Sequence, residues 1–186
     1  MKSRKFLLVL VVLFSLAACS RDPKVQAERY VENGNKFYAK AKYKEASIMY
    51  RRALQKDLRF GEAYYRLGLT SLKLGAFGDA VRALRRAVEL QPKNTDAIVK
   101  LADIYMVATT QDATHAQELL QEAKDLSAKL VQLDANSYEG HRLAGQIGLI
   151  NKDSAAAVKE FEAVRTEFKD ELEGIHDLNF APAGKK

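Results

Sequence analysis

Few side chains in this sequence are of a type that does chemistry, and their spacing assembles no reactive site. Cys19 is the only cysteine, which excludes an internal disulfide framework and a multi-cysteine metal site. The three histidines, His115, His141 and His176, lie far apart, and none belongs to an H-E-x-x-H or similar ligand spacing. There is no G-x-S-x-G elbow and no phosphate-cradling glycine loop. Carboxylates such as Asp79 and Glu89, or Glu118 and Glu122, have the spacing of solvated helix faces and i,i+4 pairs. The chain therefore reads as a non-enzyme, with no catalytic residue, metal or cofactor expected.

Composition narrows the partners. A chain of 186 residues, 47% hydrophobic and 29% charged, buries an ordinary core. Its formal charge of +6 includes Lys2, Arg4 and Lys5; thirty basic residues less those three, against 24 acidic, leave +3. That bias is too weak for nucleic acid, which needs clustered Lys and Arg on one face. There is no Trp, and the Tyr and Phe residues mostly fall at helical-core spacing.

The lone cysteine is explained by its position. Lys2, Arg4 and Lys5 precede the apolar run Phe6 to Ala18, thirteen residues long. A membrane-spanning helix needs about 20 residues, so residues 1–18 read as a signal peptide. The following string Leu16-Ala17-Ala18-Cys19 resembles the bacterial lipobox. That resemblance implies diacylglyceryl transfer to the Cys19 thiol, cleavage before it and a lipid-anchored protein of the cell envelope. Ser20, where Asp would signal inner-membrane retention in the enterobacterial pattern, points to the outer membrane facing the periplasm. Ser20 to Gln26, with the turn signal Asp22-Pro23, form a linker of at most about 25 Å. The folded body is expected close to the membrane.

The remainder is organised by a repeat. Tyr30, Gly34, Phe37, Ala46, Tyr50 and Ala53 recur 34 residues later as Tyr64, Gly68, Ser71, Ala80, Leu84 and Ala87, with one mismatch at Ser71. A small residue at the eighth and twentieth positions lets two antiparallel helices approach, and larger side chains fill the space around that contact. This pattern, closing at Pro92, resembles the tetratricopeptide repeat (TPR). The resemblance implies an all-α superhelical solenoid over residues 27–171. The repeats read as 27–60, 61–94, 95–137 and 138–171, the fourth with His141 and Gly148 in place of aromatics. The third carries nine extra residues. No Gly or Pro interrupts residues 106–135, and a helix capped by Asp112 or Thr114 reads through them. Most of the insertion is thus expected to lengthen the second helix of that repeat, by up to about 13 Å. Residues 172–186 read as a partial capping helix, carrying Leu172, Ile175 and Leu178, and a disordered tail.

The same resemblance implies a groove lined by the first helices. Its positions map onto Asn35, Tyr38, Tyr65, Leu69, Leu72, Val99, Asp103, Met106, Arg142, Gln146 and Leu149, with Val31, Asp96, Val107 and Ile150 at further groove positions. Asn35 fits the carboxylate clamp of chaperone-binding TPRs, but Val31 and Leu69 depart from it. An amphipathic helix or extended apolar segment is the better ligand. Arg51 and Arg52 share repeat positions with Arg85 and Arg86, a basic strip open to two readings: a solvated face paired with acids, or an orienting contact with anionic headgroups. The whole resembles bacterial TPR lipoproteins, most of all those associated with exosortase and exopolysaccharide export. The expected function is a protein-binding adaptor or scaffold in an envelope assembly. The alternative is the anchoring piece of a longer or self-stacking array, hence a homo-oligomer.

Overall fold

The structure, a computed structural model, describes residues 22–165. The signal peptide, Cys19, His176 and the segment 172–186 lie outside the described residues. Among the described residues every regular element is helical, and no helix is long and apolar enough to cross a membrane. The helices are α1 (Pro23–Ala39), α2 (Tyr43–Lys56), α3 (Gly61–Lys73), α4 (Phe77–Leu90), α5 (Thr95–Gln111), α6 (Ala116–Leu133), α7 (Tyr138–Ile150) and α8 (residues 154–165). They form four helix-turn-helix pairs, the TPR fold.

Local chemistry sets the helix ends. The Asp22 side chain accepts from the Lys24 amide at 2.9 Å and Pro23 opens α1, where its missing N–H costs nothing. The turn inside a pair closes the same way in three repeats. Ala41, Gly75 and Lys152, at one repeat position, have φ of 55°, 72° and 60°. The next amides, of Lys42, Ala76 and Asp153, donate to the carbonyls of Phe37, Ser71 and Gly148 at 2.9–3.0 Å. This is the six-residue closure of a Schellman motif. Gly75 enters the left-handed region freely; Ala41 and Lys152 do so at a cost of about 1–2 kcal/mol.

The third pair corrects the expectation for the insertion. It does not mainly lengthen the second helix. Compared with α3 and α4, four of the nine extra residues extend α5, one extends the turn and four extend α6. Four residues are close to one helical turn, so each helix gains a turn while its buried face is nearly preserved. Neither Asp112 nor Thr114 caps α6, which starts at Ala116. Asp112 instead accepts from the amides of Thr114 and His115, at 3.0 and 3.2 Å, and its carboxylate meets the His115 ring at 2.8 Å. That bonding closes the turn, so the helix begins at Ala116, just past the cap expected at Asp112 or Thr114.

Each pair is held by the small-residue contact. Ala46, Ala80, Ala123 and Ala157, at the twentieth position, are all buried. A methyl built on Gly34 would meet the Tyr50 ring at 2.5 Å, one on Gly68 would meet Leu84 at 2.7 Å, and one on Gly145 would meet Phe161 at 2.5 Å. Contacts divide the chain at Ala97/Ile98 into two compact units. In the first, α2 packs on α3, α1 reaches α3, and Tyr50, Leu54 and Leu67 lie in one core with Val31 and the small residues. In the second, α6 packs on α7, and the buried Ser127 hydroxyl donates to the Gly140 carbonyl at 2.8 Å.

Candidate partner-binding groove

In the first unit, α1 carries Asn35 and Tyr38 and α3 carries Tyr65, Leu69 and Leu72, all half-buried. The fully buried Tyr50 donates its hydroxyl to Asn35 Oδ1 at 2.8 Å, and burial pushes its phenol up to about 12. Asn35 is thereby fixed with its NH₂ left as a donor. Tyr38 is held edge-on by Tyr43, ring centroids 5.2 Å apart. The Arg66 guanidinium, bonded to Glu62 at 2.6 Å, stands 5.6 Å from the Tyr65 ring centre. Burial raises the Tyr65 phenol, and the Asp96 carboxylate adds to the effect. The result is an aromatic and aliphatic strip with an amide donor. Val31 does not join it: Ala27, Val31 and Gly34 form one buried stripe at helical spacing, and Val31 is core.

In the second unit, α5 carries Val99, Asp103 and Met106, half-buried, and α7 carries Arg142 and Gln146, half-buried, with Leu149 exposed. Here the structure joins residues that spacing alone could not. Arg142 donates through Nη2 to Asp103 at 2.8 Å, through Nε to Glu139 at 2.5 Å and through Nη1 to Gln146 at 3.1 Å. The Lys100 ammonium lies 3.9 Å from Asp103. This network ties the two first helices together and occupies the guanidinium with acids of the chain itself. A ligand carboxylate would have to displace one of them. Sequence reasoning missed Glu139 as a partner, although its i,i+3 spacing to Arg142 was a readable signal.

The four arginines of the basic strip are all exposed on α2 and α4. Arg51 lies 3.7 Å from Asp79, which also binds Arg82, and Arg86 pairs with Glu89 at 2.7 Å. Among the described residues no group of three His, Cys, Asp or Glu side chains is placed to hold a metal ion.

Comparison with known proteins agrees with this architecture. The tetratricopeptide repeat model matches residues 61–94, the second helix pair. Anaphase-promoting complex subunit 3 of Schizosaccharomyces pombe is 24% identical over 149 residues, covering 80% of this chain. The chain spans about a fifth of that relative's length, 21%. Among solved structures, MamA is similar with a TM-score of 0.67 and 20% identity, over 84% of this chain and 86% of that one. YrrB, described as a TPR protein with an unusual peptide-binding site, is similar with a TM-score of 0.62 and 25% identity, over 83% and 75% of the two chains. The chain has the TPR fold, and that fold suggests a protein-interaction role.

Proposed function

We propose that this TPR chain is a lipid-anchored adaptor of a bacterial envelope assembly or export system, holding a partner's amphipathic helix or extended apolar segment against its first helices. One observation carries the reading: in each unit the side chains assigned to the first helices are half-buried, with Leu149 exposed, so none is fully buried. They are ordered yet accessible, the state a recognition surface needs. The strip of Tyr38, Tyr65, Leu69 and Leu72 suits an apolar ligand. The saturated Arg142 disfavours a free carboxylate. The peptide-binding site named for YrrB supports the reading by analogy of fold. The anchor, the outer-membrane destination and the exosortase or exopolysaccharide association rest on the lipobox and on resemblance to TPR lipoproteins. We assign no headgroup role to the arginine strip, because Asp79 and Glu89 offset it.

The double variant Tyr65→Ala/Leu72→Ala is expected to lose partner capture in cells while keeping its helical circular dichroism. Loss of helicity would show that both residues belong to the core. Cys19→Ala is expected to leave the protein unprocessed or released from membranes. Retention after a carbonate wash, with residues 1–18 removed, would contradict the anchor. A second reading, self-stacking, is favoured by the exposed Val158 and Phe161 on α8. A monodisperse monomer in sedimentation would contradict it.

A further inference from the structure

His141 stands at the fourth position of its repeat, where the other first helices carry Tyr30, Tyr64 and Ile98. Tyr30 and Tyr64 pack on the core of the first unit, and Ile98 is buried. Only the fourth pair therefore places at this position a side chain that titrates near neutral pH. The His141 side chain is largely sheltered, 16% exposed, and its ring joins three elements of the second unit. Nδ1 lies 2.7 Å from a carboxylate oxygen of Glu160 on α8, and Nε2 lies 2.9 Å from the carbonyl oxygen of Ala135 in the turn between α6 and α7.

Both neighbours are oxygen acceptors, and a neutral imidazole has one N–H to offer them. In the neutral ring one nitrogen would aim its lone pair at an oxygen less than 3 Å away, so one contact has to open. The imidazolium has two N–H groups and satisfies both, and its bond to the Glu160 carboxylate is charge-assisted. A proton shared by the two side chains rests on the ring, since an imidazole is the stronger base by about two pH units. The surrounding charges act in the same direction. Lys124 on α6 and Asp153 and Glu160 on α8 line the cleft beside His141, two acids against one base. On α7 the adjacent Glu139 and Arg142 are bonded to each other, and in the turn Asp134 accepts from the Asn136 amide.

We propose that His141 is a proton-operated clamp: protonated, it ties α8 and the α6–α7 turn to α7 at once, and on losing its proton it releases α8. Glu160 is the tie that yields, because its side chain is 30% exposed and can rotate into water, whereas the Ala135 carbonyl belongs to a turn closed by the Ser137 amide donating to the Asp134 carbonyl at 3.0 Å. The close approach of α7 and α8 through Gly145 and Gly148 persists in both states, so α8 stays paired and loses only its polar tie. The clamp is complete below the ordinary imidazole value of about 6.5 and is lost as pH rises through the midpoint of the folded chain. It goes beyond the groove reading and uses no atom of the Arg142 network.

The test uses the full chain in detergent, with histidine side chains followed by NMR and the amides of α8 by hydrogen exchange. His141 is expected to titrate at least about one pH unit above an unperturbed histidine, with both ring nitrogens protonated below its midpoint. Glu160→Gln should return that midpoint toward the ordinary value and leave the His115 midpoint where it was. Protection of residues 154–165, corrected for the intrinsic rate of exchange, should fall as pH rises through the His141 midpoint. That fall should be absent in Glu160→Gln and in His141→Gln, and Glu160→Gln alone decides the matter where His141→Gln folds poorly. A His141 midpoint at or below the ordinary value, a raised midpoint indifferent to Glu160→Gln, or α8 protection that does not change across the midpoint would overturn the proposal.

Discussion

Gly68 is where α3 and α4 come closest through a glycine, and replacing it measures the helix pairing directly. A methyl there would stand 2.7 Å from Leu84 Cγ and 2.9 Å from its Cδ2, well inside a carbon–carbon contact of about 3.5–4.0 Å. Leu84 is 0% exposed and cannot swing into solvent. Removing a helical glycine gains about 1 kcal/mol, whereas overpacking a close helix contact costs about 1–3 kcal/mol or more. Gly68→Ala should then be close to neutral or mildly destabilising. Gly68→Leu, three carbons larger than the alanine variant, should lose about 2–3 kcal/mol net. For a chain of this size that lowers the melting temperature by about 4–12 °C, read by circular dichroism. Gln117→Leu, at an exposed position on α6, should stay within about 0.5 kcal/mol of the unaltered protein. In Gly68→Leu/Leu84→Ala the new side chain enters the vacated volume, so the double variant should lose at least about 1 kcal/mol less than the two singles together. Equal melting shifts for Gly68→Leu and Gln117→Leu, or additive losses in the double variant, would refute the packing argument.

Two further expectations concern the turns. Gly75 has φ of 72° with nothing within 4 Å of an added methyl, so Gly75→Ala should cost about 1 kcal/mol through backbone strain alone, while Ala41→Gly, relieving the same strain, should gain a smaller amount in urea unfolding. In the long third turn, the Asp112 hydrogen bond raises the His115 imidazole above the ordinary histidine value and lowers the Asp112 carboxyl. The His115 contribution is complete below its unfolded value and is lost as pH rises through the raised one. The Asp112 contribution is present above the ordinary carboxylate value and is lost as pH falls through the lowered one. An NMR titration should place the His115 midpoint above that of an unperturbed histidine, and Asp112→Asn should bring it back; an unshifted midpoint would remove the pair.

The helix pairs were legible because their contact needs particular sizes at particular places. Gly34, Gly68 and Gly145 admit Tyr50, Leu84 and Phe161, and alanines recur at the twentieth position. Other features were hidden for physical reasons. The division of the insertion between α5 and α6 depends on where Asp112 turns the backbone, and neither Gly nor Pro marks that place. The left-handed turn shows its residue type only at Gly75, since Ala41 and Lys152 adopt the same conformation against preference. In the groove, residue types were readable but commitments were not. Val31 turned inward with Ala27 and Gly34, and Asp103, Glu139, Arg142 and Gln146 form one network across two helices of distant sequence.

The claim that the first helices hold a polypeptide is tested most directly by a photo-crosslinking residue, p-benzoylphenylalanine, placed in living cells at Leu72 in the groove and, separately, at Arg52 on the exposed face of α2. The account expects a discrete crosslinked species from position 72 that is absent from position 52 and is lost when Tyr65→Ala is added. Crosslinks of the same pattern and strength from both positions, or a position 72 crosslink indifferent to Tyr65→Ala, would contradict it.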